Sequence, residues 1–117
     1  EAAYRTSPFF EYFEDTLLPI YTKKHTFLMD LNLETIEIVS KCLNMKLEFE
    51  KTTEYFHETP DNLDFRYLAD GKKDVSNFSP YPQVFGEKHG FINNLSVLDL
   101  LFNEGRFAVD YLKAQPL

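Results

Sequence analysis

One histidine in this sequence stands where proton transfer is easy to arrange. His89 lies within Gly86-Glu87-Lys88-His89-Gly90. Imidazole gains or loses a proton near neutral pH, and the flanking glycines permit tight turns and close approach of a ligand. Glu87 and Lys88 are neighbours able to adjust its proton affinity. Ten residues on, Asp99 and Asn103 are spaced four apart, so a helix places them on one face. They interrupt an otherwise apolar run, and a buried Asp needs a partner. As binding groups they suit a hydroxyl or amine, as on a sugar; as structural groups they cap the helix and satisfy nearby loop backbone. Tyr81 and Gln83 precede that helix and are placed to line the same pocket, although Tyr also serves as the rim of a core. His89 is therefore the candidate acid/base, and Tyr81, Gln83, Asp99 and Asn103 are candidate substrate-binding residues.

Other chemistries find less support. Glu11 and Glu14 form a carboxylate pair of the kind used in acid/base work, but acidic residues also belong in a first helical turn. Phe9, Phe10, Tyr12 and Phe13 could stack on a sugar or base, yet their helical spacing marks them as core. His25 and His57 have no companions at metal-ligand spacing, so no metal site is expected. The chain contains no HExxH, GxSxG, GxGxxG or P-loop, and no cofactor is indicated. The single cysteine, Cys42, adjoins an apolar stripe as a core thiol. It excludes an intrachain disulfide framework and points to a reducing, cytoplasmic setting.

Composition narrows the classes further. With 12 Lys and Arg against 19 Asp and Glu, the net charge is −7, which disfavours nucleic acid as a partner. Apolar residues are 44% and aromatics 16% of 117 residues, so one packed domain is expected rather than a disordered chain. A membrane span needs about 20 consecutive apolar residues, and no such run occurs. The sequence opens at Glu1 without a methionine, and residues 1–6 read like the middle of a longer chain.

The elements that must hold these residues are mostly helical. Ser7 followed by Pro8 is a good helix start, and Phe9, Phe13, Leu17, Ile20 and Tyr21 continue at helical spacing, with a bend or break expected near Pro19. Asn32 is expected to cap a second helix carrying Ile36, Val39 and Leu43, with residues 25–31 adding a further turn and Asn44 as its stop. Lys46–Thr53 alternates with a period of two, the pattern of a short strand, with 65–68 a possible partner. Residues 57–80 hold eight charged residues and three Pro or Gly breakers and read as a long mobile surface loop. Ser96 and Gly105 then bracket a helix that is apolar nearly all round and hence buried, and a last helix follows from Arg106 to about Ala114.

Two stretches are more specific. Ser7-Pro-Phe-Phe-Glu-Tyr-Phe13, and the run from Tyr81-Pro-Gln-Val-Phe-Gly to Leu-Leu-Phe-Asn-Glu-Gly105, together resemble the C-terminal half of the WbqC-like protein family. Phe27-Leu-Met-Asp-Leu-Asn32 and Asp64-Phe-Arg66 resemble two further shared blocks. The Pro-Lys that often follows the last of these in the family has no clean match here, Gly71-Lys72-Lys73 standing nearby. The resemblance implies a bacterial protein, the C-terminal fragment of a longer one, tied to surface-polysaccharide (O-antigen) biosynthesis and acting on a sugar such as a nucleotide-linked or amino sugar. A non-enzymatic interaction or scaffold module is the alternative.

The expected fold is thus mainly α, with a minor strand element. The expected unit is a compact helical domain over residues 1–117, packed from the three main helices. Loss of an upstream segment would expose apolar surface, so self-association of the fragment is also expected.

Overall fold

The computed structural model describes residues 2–59 and 64–116. The aromatic spacing near the start produces helix α1, Phe10–Thr22, which buries Phe10, Phe13 and Leu17. Helix α2 is Leu28–Cys42, the single turn α3 is Gly86–His89, α4 is Val97–Glu104 and α5 is Ala108–Lys113. Short 3-10 turns lie at Arg66–Ala69 and Gly105–Phe107. Mainly α is the correct class.

The core forms where α1 meets α4. Leu100, Leu101 and Phe102 of α4 join the three α1 residues and Ala108, and Leu101 is fully buried. Such a side chain contributes roughly 1.5–3 kcal/mol by leaving water. Phe102 is the centre of an aromatic cluster, its ring 5.2 Å from Phe10 and 5.1 Å from Tyr4. Helix α2 lends only a partly buried edge of Ile38, Val39, Cys42 and Leu43. Of its other apolar residues Leu28, Met29 and Ile36 are exposed, Leu28 at 72%, while Leu31 and Leu33 are half-buried.

The bracketing signals of α4 work as the sequence implies. The Ser96 hydroxyl accepts from the Leu98 N–H at 3.3 Å, and Gly105 ends the helix at φ +55°. A Cβ at Gly105 would sit 2.7 Å from the Phe9 ring, so the position demands glycine twice over, for conformation and for space. Asn44 stops α2 at φ +53°, a conformation that Asn tolerates.

Several expectations are corrected. There is no strand among the described residues. The alternation at 46–53 is present, but residues 46–52 make no backbone hydrogen bond to any described segment, because 65–68 is committed to a 3-10 turn. A lone strand has nothing to satisfy its peptide groups. Ser7 does not cap α1. Its hydroxyl donates to the Tyr4 carbonyl at 2.5 Å, and the Phe9 N–H is taken by the Phe102 carbonyl at 2.9 Å, so the helix begins at Phe10. It then runs through Pro19 as one element. Helix α2 starts four residues ahead of Asn32, with Asp30 in its first turn, where the dipole favours an acid. The last helix is shorter than expected, since 105–107 forms a tighter turn before it.

The segment expected to be a free loop is tethered in its described part by side chains from the C-terminal half. Asn94 Nδ2 donates to the Leu68 carbonyl and to Asp74, both at 2.8 Å. Asn93 Oδ1 accepts from Phe78 N–H at 2.9 Å while its Nδ2 donates to Ser76. Gln115 Oε1 accepts from Ser79 N–H at 2.8 Å.

Candidate functional site

The residues expected to form a site are placed as follows. Asp99 is buried on α4, and the Tyr81 phenol donates to its Oδ2 at 2.6 Å. Burial first, and then the bond to Asp99, push the Tyr81 phenol well above its ordinary pKa. Tyr4 is raised in the same way, by burial and by the charge of Asp99. The carboxylate thus joins the N-terminal segment, the 81–85 segment and α4. Asn103 turns back along its own helix, Nδ2 donating to the Asp99 carbonyl at 2.7 Å. Gln83 grips Ile92 with both amide atoms, Nε2 donating to its carbonyl and Oε1 accepting from its N–H, each at 2.9 Å. Tyr81 also meets the Phe91 and Tyr111 rings edge-on, at 5.5 and 5.1 Å. These four residues form one connected frame. His89 ends α3 exposed to solvent, and no contact links its side chain to that frame.

A second constellation was only partly visible in the sequence, through Asp64-Phe-Arg66. The Asp64 carboxylate accepts from the Arg66 N–H at 3.0 Å and from Nε at 2.9 and 3.0 Å, and also from Nη2. The guanidinium continues outward: Nη1 donates to the Phe56 carbonyl at 2.7 Å and Nη2 to the His57 carbonyl at 3.0 Å. It lies 5.6 Å from the centre of the Tyr55 ring, a cation–π distance. Tyr55 in turn meets the His57 ring edge-on at 5.1 Å. One arginine therefore draws 55–57 against 64–70. These hydrogen bonds from Arg66 hold Asp64 far below the usual carboxylate range, and Asp64 in return raises Arg66.

The result is an open groove of about 520 Å³ lined by Tyr55, His57, Asp64, Arg66, Tyr67, Asp70 and Lys73. Lys73 Nζ lies 3.7 Å from Asp70. The groove alternates acceptors (Asp64, Asp70) with donors (Arg66, Lys73 and the phenols) between ring faces. The sequence signals were the Asp64-x-Arg66 spacing and the lysine pair after Gly71; nothing local pointed to Tyr55 or His57. Among the described residues no group of three His, Cys, Asp or Glu side chains is close enough to hold a metal ion. No helix among them is long and apolar enough to cross a membrane.

A predominantly helical fold with a ring-lined polar groove is the class of protein that emerges. Comparison with protein families matches residues 1–74 to the WbqC-like protein family, and the chain belongs to that family. The match falls on the N-terminal part of the chain. It takes in the blocks at 7–13, 27–32 and 64–66, and not the 81–105 stretch that carried most of the resemblance. No curated protein and no solved structure matches the chain.

Proposed function

We propose that this chain binds a sugar, nucleotide-linked or amino-bearing, in the groove between Tyr55 and Lys73, as a participant in bacterial surface-polysaccharide biosynthesis. One observation carries the reading: acceptors, donors and ring faces share a single groove inside the family-matched region. Sugar hydroxyls donate and accept at once, so a wall offering both kinds of partner matches them better than a purely basic wall would. The ring faces suit the C–H surface of a pyranose, and Lys73 is a point charge for a phosphate. In this reading Tyr81, Gln83, Asp99 and Asn103 do not line the groove; they build the body that carries it. His89 is the proposed acid/base group; it is exposed and stands outside the residues that line the groove.

A second reading, a binding module with no chemistry of its own, is favoured by the commitment of those four frame side chains to partners within the chain. A thermal-shift series with UDP-N-acetylglucosamine, UDP and glucosamine tests the first reading, since a ligand that prefers the folded state raises the melting temperature. The expected result is a shift in the wild type that disappears in Tyr55→Ala and Lys73→Ala. Absence of a shift with every probe, or a shift that survives both substitutions, overturns it. Conversion of the probe, followed by mass spectrometry and lost in His89→Ala, identifies the enzyme; binding without conversion identifies the module.

A further inference from the structure

The chain leaving α2 reads Met45-Lys46-Leu47-Glu48-Phe49-Glu50. It has strand periodicity, but the described residues offer no strand to pair with. Every residue from Asn44 to Glu58 is exposed, and the peptide groups of 46–52 bond to nothing among the described residues. Met45, Leu47 and Phe49, which alternation would set on one face of a strand, are 40%, 46% and 55% exposed. Beside them runs a groove against α2, lined by Leu33, Ile36 and Ser40.

We propose that this segment pairs antiparallel with the same segment of a second copy, about a two-fold axis through Leu47. The register follows from charge. Centring on Leu47 sets Lys46 opposite the second copy's Glu48, Leu47 opposite Leu47, and Met45 opposite Phe49. Centring on Glu48 sets Glu48 against itself, and centring on Phe49 sets Glu48 against Glu50 and Leu47 against Lys51. Like charges directly opposite are unfavourable, and apolar pairs on one face are favourable.

The backbone agrees with this choice. The Met45 N–H is already given to the Ser40 carbonyl at 2.9 Å, which closes the end of α2, so the paired stretch begins after it. In a strand continuing from Met45, the Lys46, Glu48 and Glu50 peptide groups present the edge opposite that of Met45. In the Leu47-centred register Lys46 and Glu48 of opposite copies exchange the hydrogen bonds, and Leu47 sits at a close, non-hydrogen-bonded pair. The ion pair that Lys46 makes with Glu48 within one chain, at 2.7 Å, is re-formed between chains. A two-stranded ribbon alone is not stable, but one packed on a helix can be, and α2 of each copy provides that helix. The contact is isologous, so it closes at two copies. It does not depend on the sugar reading.

Sedimentation velocity over a range of protein concentrations tests the proposal. The wild type is expected to dimerise reversibly. Lys46→Glu and Glu48→Lys should each weaken the dimer about tenfold, and the double substitution should restore it. Leu47→Asp, on the axis, should leave only monomer. In a Cys42→Ser background, Leu47→Cys should cross-link on oxidation, since a close pair brings the two Cβ atoms within disulfide reach, and Phe49→Cys should not. Positions 46–49 are exposed and Cys42 is half-buried, and far-UV circular dichroism confirms that each variant folds. A wild type that is monomeric throughout, a dimer indifferent to Leu47→Asp, or a double substitution that fails to restore association would overturn the proposal.

Discussion

Gly105→Ala should be among the most damaging single-methyl additions this protein can receive. The residue has φ +55° and ψ −121°, outside the regions open to residues with a Cβ, and holding alanine there costs about 1–3 kcal/mol. The new methyl also meets Cγ and Cδ1 of Phe9 at 2.7 Å and Cε1 at 2.8 Å. The ring has little room to withdraw, because the Phe9 N–H is fixed to the Phe102 carbonyl and the chain turns into α1 at the next residue. Overpacking of this kind costs a further 1–3 kcal/mol or so, for a total of roughly 2–6 kcal/mol. A domain of this size has about 5–15 kcal/mol to lose, so the variant should remain folded at low temperature. At a slope of about 1.5 kcal/mol/M the urea midpoint should fall by about 2 M. Urea unfolding followed by circular dichroism measures this directly. Phe9→Ala in the same background separates the two contributions: with the ring gone, alanine at 105 costs only its backbone share, and the double variant should lose at least about 1 kcal/mol less than the sum of the singles. A Gly105→Ala variant within about 0.5 kcal/mol of wild type, or strict additivity with Phe9→Ala, would refute the reasoning.

Two further outcomes follow from the charged and phenolic groups. Tyr81→Phe leaves a buried Asp99 oxygen without its donor and should cost about 1.5–3 kcal/mol in the same urea assay; a double-mutant cycle with Asp99→Asn that shows no coupling would argue against the bond. Because burial and Asp99 raise the Tyr81 pKa, its contribution is complete below the ordinary phenol value of about 10 and is lost as pH rises through the folded value, so the wild type should lose more stability between about pH 9 and 11 than Tyr81→Phe does. On the acid side Glu34, bonded to Lys23 and His25, Asp64, bonded to Arg66, and Asp74, bonded to Ser76 and Asn94, are all depressed. Their stabilisation is present above about pH 4–4.5 and is lost as pH falls through the lower folded values; an unfolding midpoint that stays flat from about pH 5 to 3, or the same acid sensitivity in Asp64→Asn, would contradict this.

What could be read from the residues beforehand depended on how local the determining forces are. The α4 helix was legible because its cap, its apolar run and its terminal glycine all lie within ten residues. Asn44 as the stop of α2 was legible for the same reason. The start of α2 was legible in part: the further turn over 25–31 is present from Leu28, but Asn32, for all its suitable capping side chain, lies inside the helix because Leu28-Met29 continues the helical pattern ahead of it. The strand pattern at 46–53 was a correct reading of periodicity, but pairing is set by what lies across from a segment, which no window of residues contains. The Tyr81, Gln83, Asp99 and Asn103 frame could be placed in one region by spacing, but not its wiring, since a phenol and an amide can turn inward or outward. The Arg66 groove escaped because its walls, 55–57 and 64–73, are joined by a guanidinium reaching backbone carbonyls nine and ten residues away.

The grip of Gln83 on Ile92 changes how the tip between them responds to alteration. One amide imitates a neighbouring peptide and clasps both ends of the stretch that carries α3 and His89, so the tip hangs from the body like a pendant. Substitutions at its exposed positions, His89 among them, can change what is presented to solvent while the greasy interior of α1 and α4 registers nothing, whereas Phe91 at its end packs on Tyr81. Loss of the clasp at residue 83, by contrast, releases the whole pendant together. Novelty at this edge therefore comes at small cost to the body, so long as a single side chain keeps hold.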